Sequence, residues 1–175
     1  MHEIIFTPIG VIHTPFKQRK GTPIQPSKSS HAKGRIELDP ELVPGLKDLD
    51  GFSHITLVYH LHLSQGFDME VVPYLDDQLR GLFATRAPRR PNPIGISVVR
   101  LLGIEGNVLH VENVDMVDGT PLLDIKPYVS TFEDSGDFKL GWLEGKADGG
   151  AEVRDDGRFE ESSDSAPSRT DKKRR

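Results

Sequence analysis

A proline-rich segment in the middle of the chain carries the residues best suited to bind an anion. Residues 84–97 read ATRAPRRPNPIGIS and contain three prolines and three arginines. Each proline fixes its own φ angle and pushes the preceding residue toward extended geometry, which predicts a stiff, non-helical loop. Its donors, Arg86, Arg89, Arg90 and Asn92, are then held at fixed positions, which suits a carboxylate or a phosphate. The alternative is an ordinary solvated loop between two strands.

A group of carboxylates forms a second candidate site. Asp115, Asp118 and Asp124 surround an Asp-Gly-Thr-Pro turn that follows one predicted strand and precedes another. A carboxylate at the rim of a barrel can act as a general base, accept from a ribose hydroxyl or hold a cation. Turn formation alone also explains the motif, because these residue types favour turns without any further function.

Two histidines form a third candidate site. His60 and His62 are two residues apart on a predicted strand, so both side chains point to the same face. This spacing can present two imidazoles to one metal ion, with Glu70 or His110 as a third ligand. The favoured alternative is one histidine hydrogen-bonded in the core and the other lining a pocket, since a histidine pair at this spacing is a weak signal.

Short strands separated by glycine and proline must position these residues. Strands are predicted at residues 4–12, 34–38, 52–63, 71–74, 81–85, 96–104, 108–114 and 122–128. The pair 96–104 and 108–114 makes a hairpin, and Asp39 caps a short helix that runs to about Leu46. Residues 17–33 have no apolar periodicity and form a long loop. The predicted fold is mainly β, a small β-barrel or sandwich with long functional loops and few short helices; we expect the barrel.

Composition narrows the class of protein further. The 175 residues suffice for one domain with a core, and the absence of cysteine excludes disulfides and thiolate chemistry. The net charge of −5 means that any contact with an anionic polymer needs a local basic patch. No apolar run is long enough to span a bilayer, so we expect a cytoplasmic protein without membrane contact. Neither a dinucleotide-binding turn nor a Walker loop is present. We predict a barrel domain at residues 1–145 and a polar, disordered tail at 146–175.

Several motifs together resemble one known family. In chain order they are Ile9–Ile12 followed by Thr14-Pro15, then GFSH at 51–54, ATR at 84–86, RPNPIG at 90–95 and VDGTPLLDIKPY at 117–128. This set covers roughly residues 3 to 135 and resembles the TrmO family, also called TsaA-like or YaeB-like. RPNPIG and DGTPLLDIKPY are long, unusual strings, so a chance match is improbable.

The resemblance implies a fold, a cofactor and a reaction. Members have a small β-barrel that binds S-adenosyl-L-methionine, and they methylate the exocyclic amine of threonylcarbamoyladenosine, the modified base after the anticodon of certain tRNAs. A homodimer is also implied. Family cofactor contacts carried over to this sequence are Gln25, Pro26, Ser27, His62, Leu63, Arg86, Ile96, Met116, Val117, Asp118, Gly119 and Thr120.

The resemblance also suggests roles for individual residues. Arg86 is expected to hold the cofactor carboxylate, and Asp118 is the candidate general base for the acceptor amine. Arg89, Arg90 and Asn92 are candidates for contacts with the tRNA anticodon loop. The cofactor role of His62 replaces the metal interpretation, and no metal site is expected. Two alternatives stay open: a metal-dependent barrel enzyme built on His60 and His62, and a non-catalytic barrel that binds RNA or a nucleotide.

Overall fold

Antiparallel strands close into a six-stranded barrel in the computed structural model, which describes residues 3–24, 31–130, 139–146 and 153–159. The strands are β1 (Gly10–His13), β2 (Lys33–Leu38), β3 (His54–His60), β4 (Glu70–Val71), β5 (Arg80–Gly81), β6 (Ile94–Glu105), β7 (Val108–Glu112) and β8 (Thr120–Pro127). The barrel order is β1-β2-β7-β6-β3-β8, while β4 and β5 pair as a separate two-stranded sheet. The predicted mainly β fold with a small barrel is confirmed.

Alternation of side chains along the strands builds the barrel core. In β3, Ile55, Leu57 and Tyr59 are buried while the residues between them are more exposed. Successive strand residues point to opposite faces, so this period of two puts one apolar face inside. The other strands contribute fully buried side chains at Ile12, Ile36, Val99, Leu109, Val111 and Leu122. Each such side chain stabilises the fold by about 1.5–3 kcal/mol relative to an exposed position.

The register between β3 and β6 explains the glycine of the RPNPIG motif. Gly95 pairs with Tyr59, and Ser97 pairs with Leu57. A Cβ atom built on Gly95 collides with the aromatic ring of Tyr59. Only glycine leaves room for that ring, because a side chain here has to displace the tyrosine or the strand.

The structure corrects the predicted start of the first strand. That strand was predicted from residue 4, but β1 begins at Gly10, and Ile4, Ile5 and Phe6 are exposed. β-propensity detects side chains that suit a sheet, but it does not show whether a partner strand is available. β1 finds its partners from Gly10 onward, opposite Leu38 on one side and Leu122 on the other.

Several short 3-10 turns lie between and after the strands. The longest spans Pro40–Leu46, where the Asp39 side chain accepts a hydrogen bond from the Glu41 backbone N–H, as predicted for a cap. Others lie at Leu49–Gly51, Leu82–Ala84 and Gly141–Leu143. None of these helices has the length and apolar character needed to cross a membrane.

A segment near the C-terminus packs onto the rest of the chain. We call residues 153–159 the C-terminal strap. The Gly21 N–H donates to Asp155 O at 2.7 Å, and the Asp155 N–H donates to Thr22 O at 2.9 Å. Phe159 is 6% exposed and packs edge-on against the ring of Tyr74, with 5.2 Å between the ring centroids. The sequence assigned this segment to a disordered tail, whereas the structure gives it backbone pairing and a buried ring; the domain boundary at residue 145 stays a prediction.

Candidate functional site

A cavity of about 450 Å³ lies where the end of β3 and the start of β6 meet several loops. Its size falls within the range of pockets that hold small-molecule ligands. The walls come from the loop at residues 19–24, the residues that follow β3, the proline-rich loop, the turn before β8 and the C-terminal strap. Segments that are far apart in sequence therefore converge on one space.

Many of the residues predicted from the sequence to bind the cofactor line this cavity. Those present in its wall are His62, Leu63, Arg86, Ile96, Met116, Val117 and Thr120. Asp118 and Gly119 belong to the same turn but are not part of the described lining. Gln25, Pro26 and Ser27 lie outside the described residues, although Thr22, Pro23 and Ile24 immediately before them do line the cavity.

A buried chain of hydrogen bonds ends at a carboxylate in the cavity wall. Ser97 Oγ donates to Asp115 Oδ1 at 2.7 Å, and Tyr59 Oη lies 2.9 Å from Ser97 Oγ. Because the serine hydroxyl has one proton and gives it to the aspartate, the tyrosine must donate to the serine. All three residues line the cavity. The hydrogen bonds from Tyr59 to Ser97 and from Ser97 to Asp115 thus hold the carboxylate in one orientation from the protein side.

Burial changes the pKa values of the acidic groups in this series of hydrogen bonds. Loss of solvent raises the pKa of Asp115 from 3.8 to about 6, although the Ser97 hydrogen bond and the charge of Arg86 act in the opposite direction. Burial, together with the negative charge of Asp115, also raises the pKa of Tyr59 above its ordinary value. At neutral pH Asp115 is therefore ionised but close to its titration range, a state that suits a proton acceptor.

Arg86 supplies positive charge to the same cavity. The residue is exposed, lines the cavity wall and acts on both Asp115 and Tyr59 through its charge. Among the described residues, its guanidinium has no hydrogen bond or ion pair. A free guanidinium presents several donors in one plane and suits a ligand carboxylate.

Asp118 anchors the turn before β8. Its Oδ2 accepts from Lys17 Nζ at 2.7 Å, and its Oδ1 accepts from the Thr14 backbone N–H at 3.0 Å. The Lys17 hydrogen bond, followed by that of Thr14, holds the pKa of Asp118 below its ordinary value. Thr14 Oγ1 in turn donates to Met116 O at 2.9 Å. These contacts join the residues that follow β1 to the turn and suit a positioning role; a role of Asp118 as general base stays a prediction.

The proline-rich loop is held partly by its own arginines. Arg90 Nη1 donates to the backbone oxygens of Thr85 at 2.9 Å, Ala87 at 3.3 Å and Leu82 at 3.4 Å. The same guanidinium lies 5.7 Å from the centroid of the Phe83 ring. The Arg90 side chain thus donates to three backbone carbonyl groups that are not paired with a neighbouring strand. Arg90 also lines the cavity.

The remaining predicted substrate residues lie beside the cavity rather than in its described wall. Arg89 Nε donates to Gln65 O at 3.1 Å, and its Nη2 lies 3.6 Å from Asp68 Oδ2. Asn92 is exposed, and its backbone oxygen accepts from the N–H of Ile94 at 2.8 Å. Contacts of Arg89, Arg90 and Asn92 with a substrate stay predictions.

The two histidines separate at the end of β3. His60 is the last residue of that strand and is exposed, whereas His62 follows the strand and lines the cavity. Burial and the neighbouring His60 lower the pKa of His62, so it is neutral at pH 7. Across the described ranges no three histidine, aspartate or glutamate side chains come close enough together to hold a metal ion.

Comparison with known proteins identifies the family. Residues 11–134 match the model of the tRNA-methyltransferase O N-terminal domain. The chain belongs to the TrmO family. The resemblance drawn from the sequence motifs is thereby confirmed.

Relatives and solved structures of the TrmO family differ in length. The chain is 51% identical over 156 residues to a probable S-adenosyl-L-methionine-binding protein of Pyrococcus abyssi, covering 89% of this chain and 85% of that protein. It is 34% identical to a mouse tRNA (adenine(37)-N6)-methyltransferase, covering 74% of this chain but only 32% of that protein. A crystal structure of TrmO from Pseudomonas aeruginosa matches with a TM-score of 0.69 and 37% identity, over 80% of this chain and 62% of that chain. The chain thus spans under two thirds of that crystallised protein.

Sequence reasoning missed several residues of this TrmO-family cavity. Tyr59 and Ser97 had a usable signal, because strand alternation puts both inside the barrel, where a hydroxyl needs a partner. Arg19, Tyr74 and Asp155 also line the cavity. No spacing or motif connects these three positions, and only the folded chain brings them together.

Proposed function

We propose that this protein is an S-adenosyl-L-methionine-dependent methyltransferase that acts on tRNA, at the exocyclic amine of threonylcarbamoyladenosine beside the anticodon. Family membership supports the reaction class, and relatives are named S-adenosyl-L-methionine-binding proteins or tRNA (adenine(37)-N6)-methyltransferases. The observation that carries the proposal is the convergence of residues predicted to bind the cofactor, from separate loops, on one cavity that also contains Asp115.

The cavity wall fits the chemical groups of this cofactor. S-adenosyl-L-methionine has an amino-acid end, a positively charged sulfur and an adenosine. The guanidinium of Arg86, which has no partner among the described residues, suits its carboxylate, and the ionised carboxylate of Asp115 favours a cationic ligand. Apolar side chains such as Ile96 and Met116 provide surface for a ring. When bound, the cofactor supplies an electrophilic methyl group on sulfur.

Asp115 is the residue best placed to accept the proton of the acceptor amine. An exocyclic nitrogen that becomes methylated must lose its proton, and Asp115 Oδ2 is the carboxylate oxygen that does not accept from Ser97. Ser97 and Tyr59 hold the carboxylate in one orientation from the protein side. A pKa of about 6 keeps Asp115 ionised at neutral pH while leaving it basic enough to take a proton. Positioning of the two reactants supplies the rest of the acceleration.

The substrate, the assembly and the location extend this proposal. Arg89, Arg90 and Asn92 contact phosphates or bases of the anticodon loop, and Gln25, Pro26 and Ser27 complete the cofactor site.

The protein acts in the cytoplasm, and as a homodimer. Exposed Leu79 and Leu102, which are not part of the cavity wall, support a dimer, because apolar side chains in the open favour burial against a partner. Light scattering at several concentrations measures that assembly.

One assay tests the reaction directly. Total tRNA from cells that lack this methylation is incubated with the protein and methyl-labelled S-adenosyl-L-methionine, then digested, and the nucleosides are separated by mass spectrometry. Label in N6-methylated threonylcarbamoyladenosine supports the cofactor, the reaction and the substrate together. Calorimetry with S-adenosylhomocysteine is the parallel binding test. Binding without labelled nucleoside favours a binding-only barrel, and absence of both rejects the proposal.

A further inference from the structure

The C-terminal strap supplies a wall of the cavity that lies outside the matched family domain. The family model ends at residue 134, yet Asp155 is part of the lining. The two backbone hydrogen bonds between Asp155 and residues 21–22 fix this position. Arg158 adds to the anchor, because its Nη1 donates to Pro73 O at 2.8 Å and its guanidinium lies 4.9 Å from the Tyr74 ring centroid. Asp155 therefore lines the cavity on a segment that hydrogen bonds hold in place.

An arginine nitrogen in the cavity wall has no partner among the described residues. Nη2 of Arg19 is buried and makes no hydrogen bond with any described residue. Its Nη1 makes a long contact of 3.5 Å with Leu63 O. A buried donor of a charged group without a partner is costly, and structures usually satisfy such groups. Because Arg19 lines the cavity, a ligand is the natural partner.

A negative charge lies in the wall of the same cavity. Asp155 Oδ1 accepts from the Gly157 N–H at 2.8 Å, and the charges of Arg19 and Asp155 both act on the Tyr74 hydroxyl. Within the described residues Arg19 and Asp155 make no ion pair with each other. A cation and an anion that line one cavity without an ion pair between them match a ligand with a carboxylate and a nearby donor group.

We propose that Arg19 and Asp155 form a subsite for an amino-acid group, with Arg19 binding its carboxylate and Asp155 accepting from its ammonium or hydroxyl. The inference rests on the proposed function. Two ligands of that reaction carry such a group: the methionyl end of the cofactor and the threonyl group of the modified base. The cavity offers two arginines, Arg86 and Arg19, for these two carboxylates. The shared chemistry is a carboxylate, and binding measurements assign its source.

Calorimetry on the full chain tests the subsite with two probes. S-adenosylhomocysteine carries the amino-acid group, and 5′-methylthioadenosine lacks it. If Arg19 binds the cofactor, Arg19→Ala weakens S-adenosylhomocysteine binding by about ten- to a hundredfold and leaves methylthioadenosine unchanged. If it binds the substrate, both Kd values stay unchanged, while KM for tRNA containing threonylcarbamoyladenosine rises by a similar factor at constant kcat.

Matched variants keep the test sharp. Lys20→Ala removes an exposed neighbouring charge that is not part of the cavity wall and should change neither value. Asp155→Asn removes the charge but keeps an oxygen for the Gly157 N–H, so it preserves the anchored strap, as checked by thermal unfolding. Asp155→Asn should weaken binding of the same ligand that Arg19→Ala affects. Arg19→Lys should restore part of the lost binding.

The outcomes separate this inference from the proposed function. A wild-type protein that binds S-adenosylhomocysteine and methylates tRNA, with Arg19→Ala and Asp155→Asn folded and unchanged in Kd and KM, overturns the subsite alone. If Arg19→Ala weakens binding of methylthioadenosine as much as binding of S-adenosylhomocysteine, a general distortion of the pocket is the cause, and the subsite is again overturned. A wild-type protein that binds neither probe overturns the proposed function itself.

Discussion

Replacing Asp115 by asparagine should make the protein more stable and less active. Burial raises the pKa of this carboxyl from 3.8 to about 6, so the ionised form is disfavoured in the folded state. The difference corresponds to about 3 kcal/mol of unfolding free energy lost once the pH is above 6. Asparagine removes that charge and still offers an oxygen to the Ser97 hydroxyl, which lies 2.7 Å from Asp115 Oδ1.

The pH window of this effect follows from the direction of the pKa change. At about pH 3 the carboxyl is protonated in both the folded and the unfolded chain, so wild type and Asp115→Asn have the same stability. Between about pH 4 and pH 6 the unfolded chain ionises first, and the advantage of the variant grows. Above pH 6 the advantage stays constant. For a domain of this size, 3 kcal/mol corresponds to a rise in Tm of about 6–12 °C.

Activity should change in the opposite sense if Asp115 accepts the proton. With a pKa of about 6, roughly one tenth of the wild-type carboxyl is ionised at pH 5, so kcat/KM should fall about tenfold between pH 7.5 and pH 5. The asparagine variant should lose at least a hundredfold at pH 7.5, with little change in its affinity for S-adenosylhomocysteine. Its residual rate should not follow this pH profile.

Denaturant unfolding and initial-rate assays across this pH range measure both effects. Asp118→Asn is the contrasting variant, because its carboxyl is stabilised in the ionised form by Lys17 and its loss should lower stability at neutral pH. An Asp115→Asn protein that is less stable than wild type at pH 7.5 refutes the desolvation argument. Full turnover by that variant refutes the role as proton acceptor.

Three other predictions follow from particular contacts. Gly95→Ala forces a methyl group into the facing tyrosine ring and should cost about 1–3 kcal/mol in urea unfolding, whereas Gly45→Ala, which meets no atom within 4 Å, should cost little. Asp76→Asn removes ion pairs of 2.6 and 2.7 Å from a side chain that is 1% exposed. It should lower Tm at neutral pH more than Asp77→Asn does, and the gap should close in strong acid, since those pairs hold the pKa of Asp76 below its usual range. Arg89→Ala should reduce the slope of log K against log salt for tRNA by about one; an equal slope contradicts a phosphate contact.

Much of the fold was accessible from the sequence because strand alternation is a local property. The predicted strand at 52–63 contains β3, and the predicted hairpin at 96–104 and 108–114 corresponds to β6 and β7. The pairing order of the barrel is not local, so no period or turn motif specifies that β8 joins β1 to β3. The C-terminal strap shows the same limit, since one buried ring in a polar segment, Phe159, is invisible to average composition.

The candidate site was likewise predictable only where local motifs mark its residues. Arg86 and the turn before β8 stood out because unusual motifs surround them, and the structure puts Arg86, Met116 and Thr120 in one cavity wall. The sequence grouped Asp115 with Asp118, and the family resemblance singled out Asp118 as the candidate base, but neither could show how differently the two carboxyls are surrounded. The difference arises from surroundings: one carboxyl is desolvated inside the cavity, and the other is neutralised by Lys17. Such differences depend on three-dimensional contacts that no spacing encodes.

The cavity walls are ordered by the fold itself, and this has a consequence for binding. Arg90 binds three backbone carbonyls of the proline-rich loop, Asp118 accepts from Thr14 just after β1 and so holds the turn before β8, and backbone hydrogen bonds hold the C-terminal strap. Restricting loops during folding removes an entropy cost that otherwise weakens ligand binding. Changes at Arg90 or Asp118 should therefore lower stability and ligand affinity together. Arg86 has no such internal contacts in the described chain, so Arg86→Ala should reduce affinity for S-adenosylhomocysteine while leaving Tm nearly unchanged.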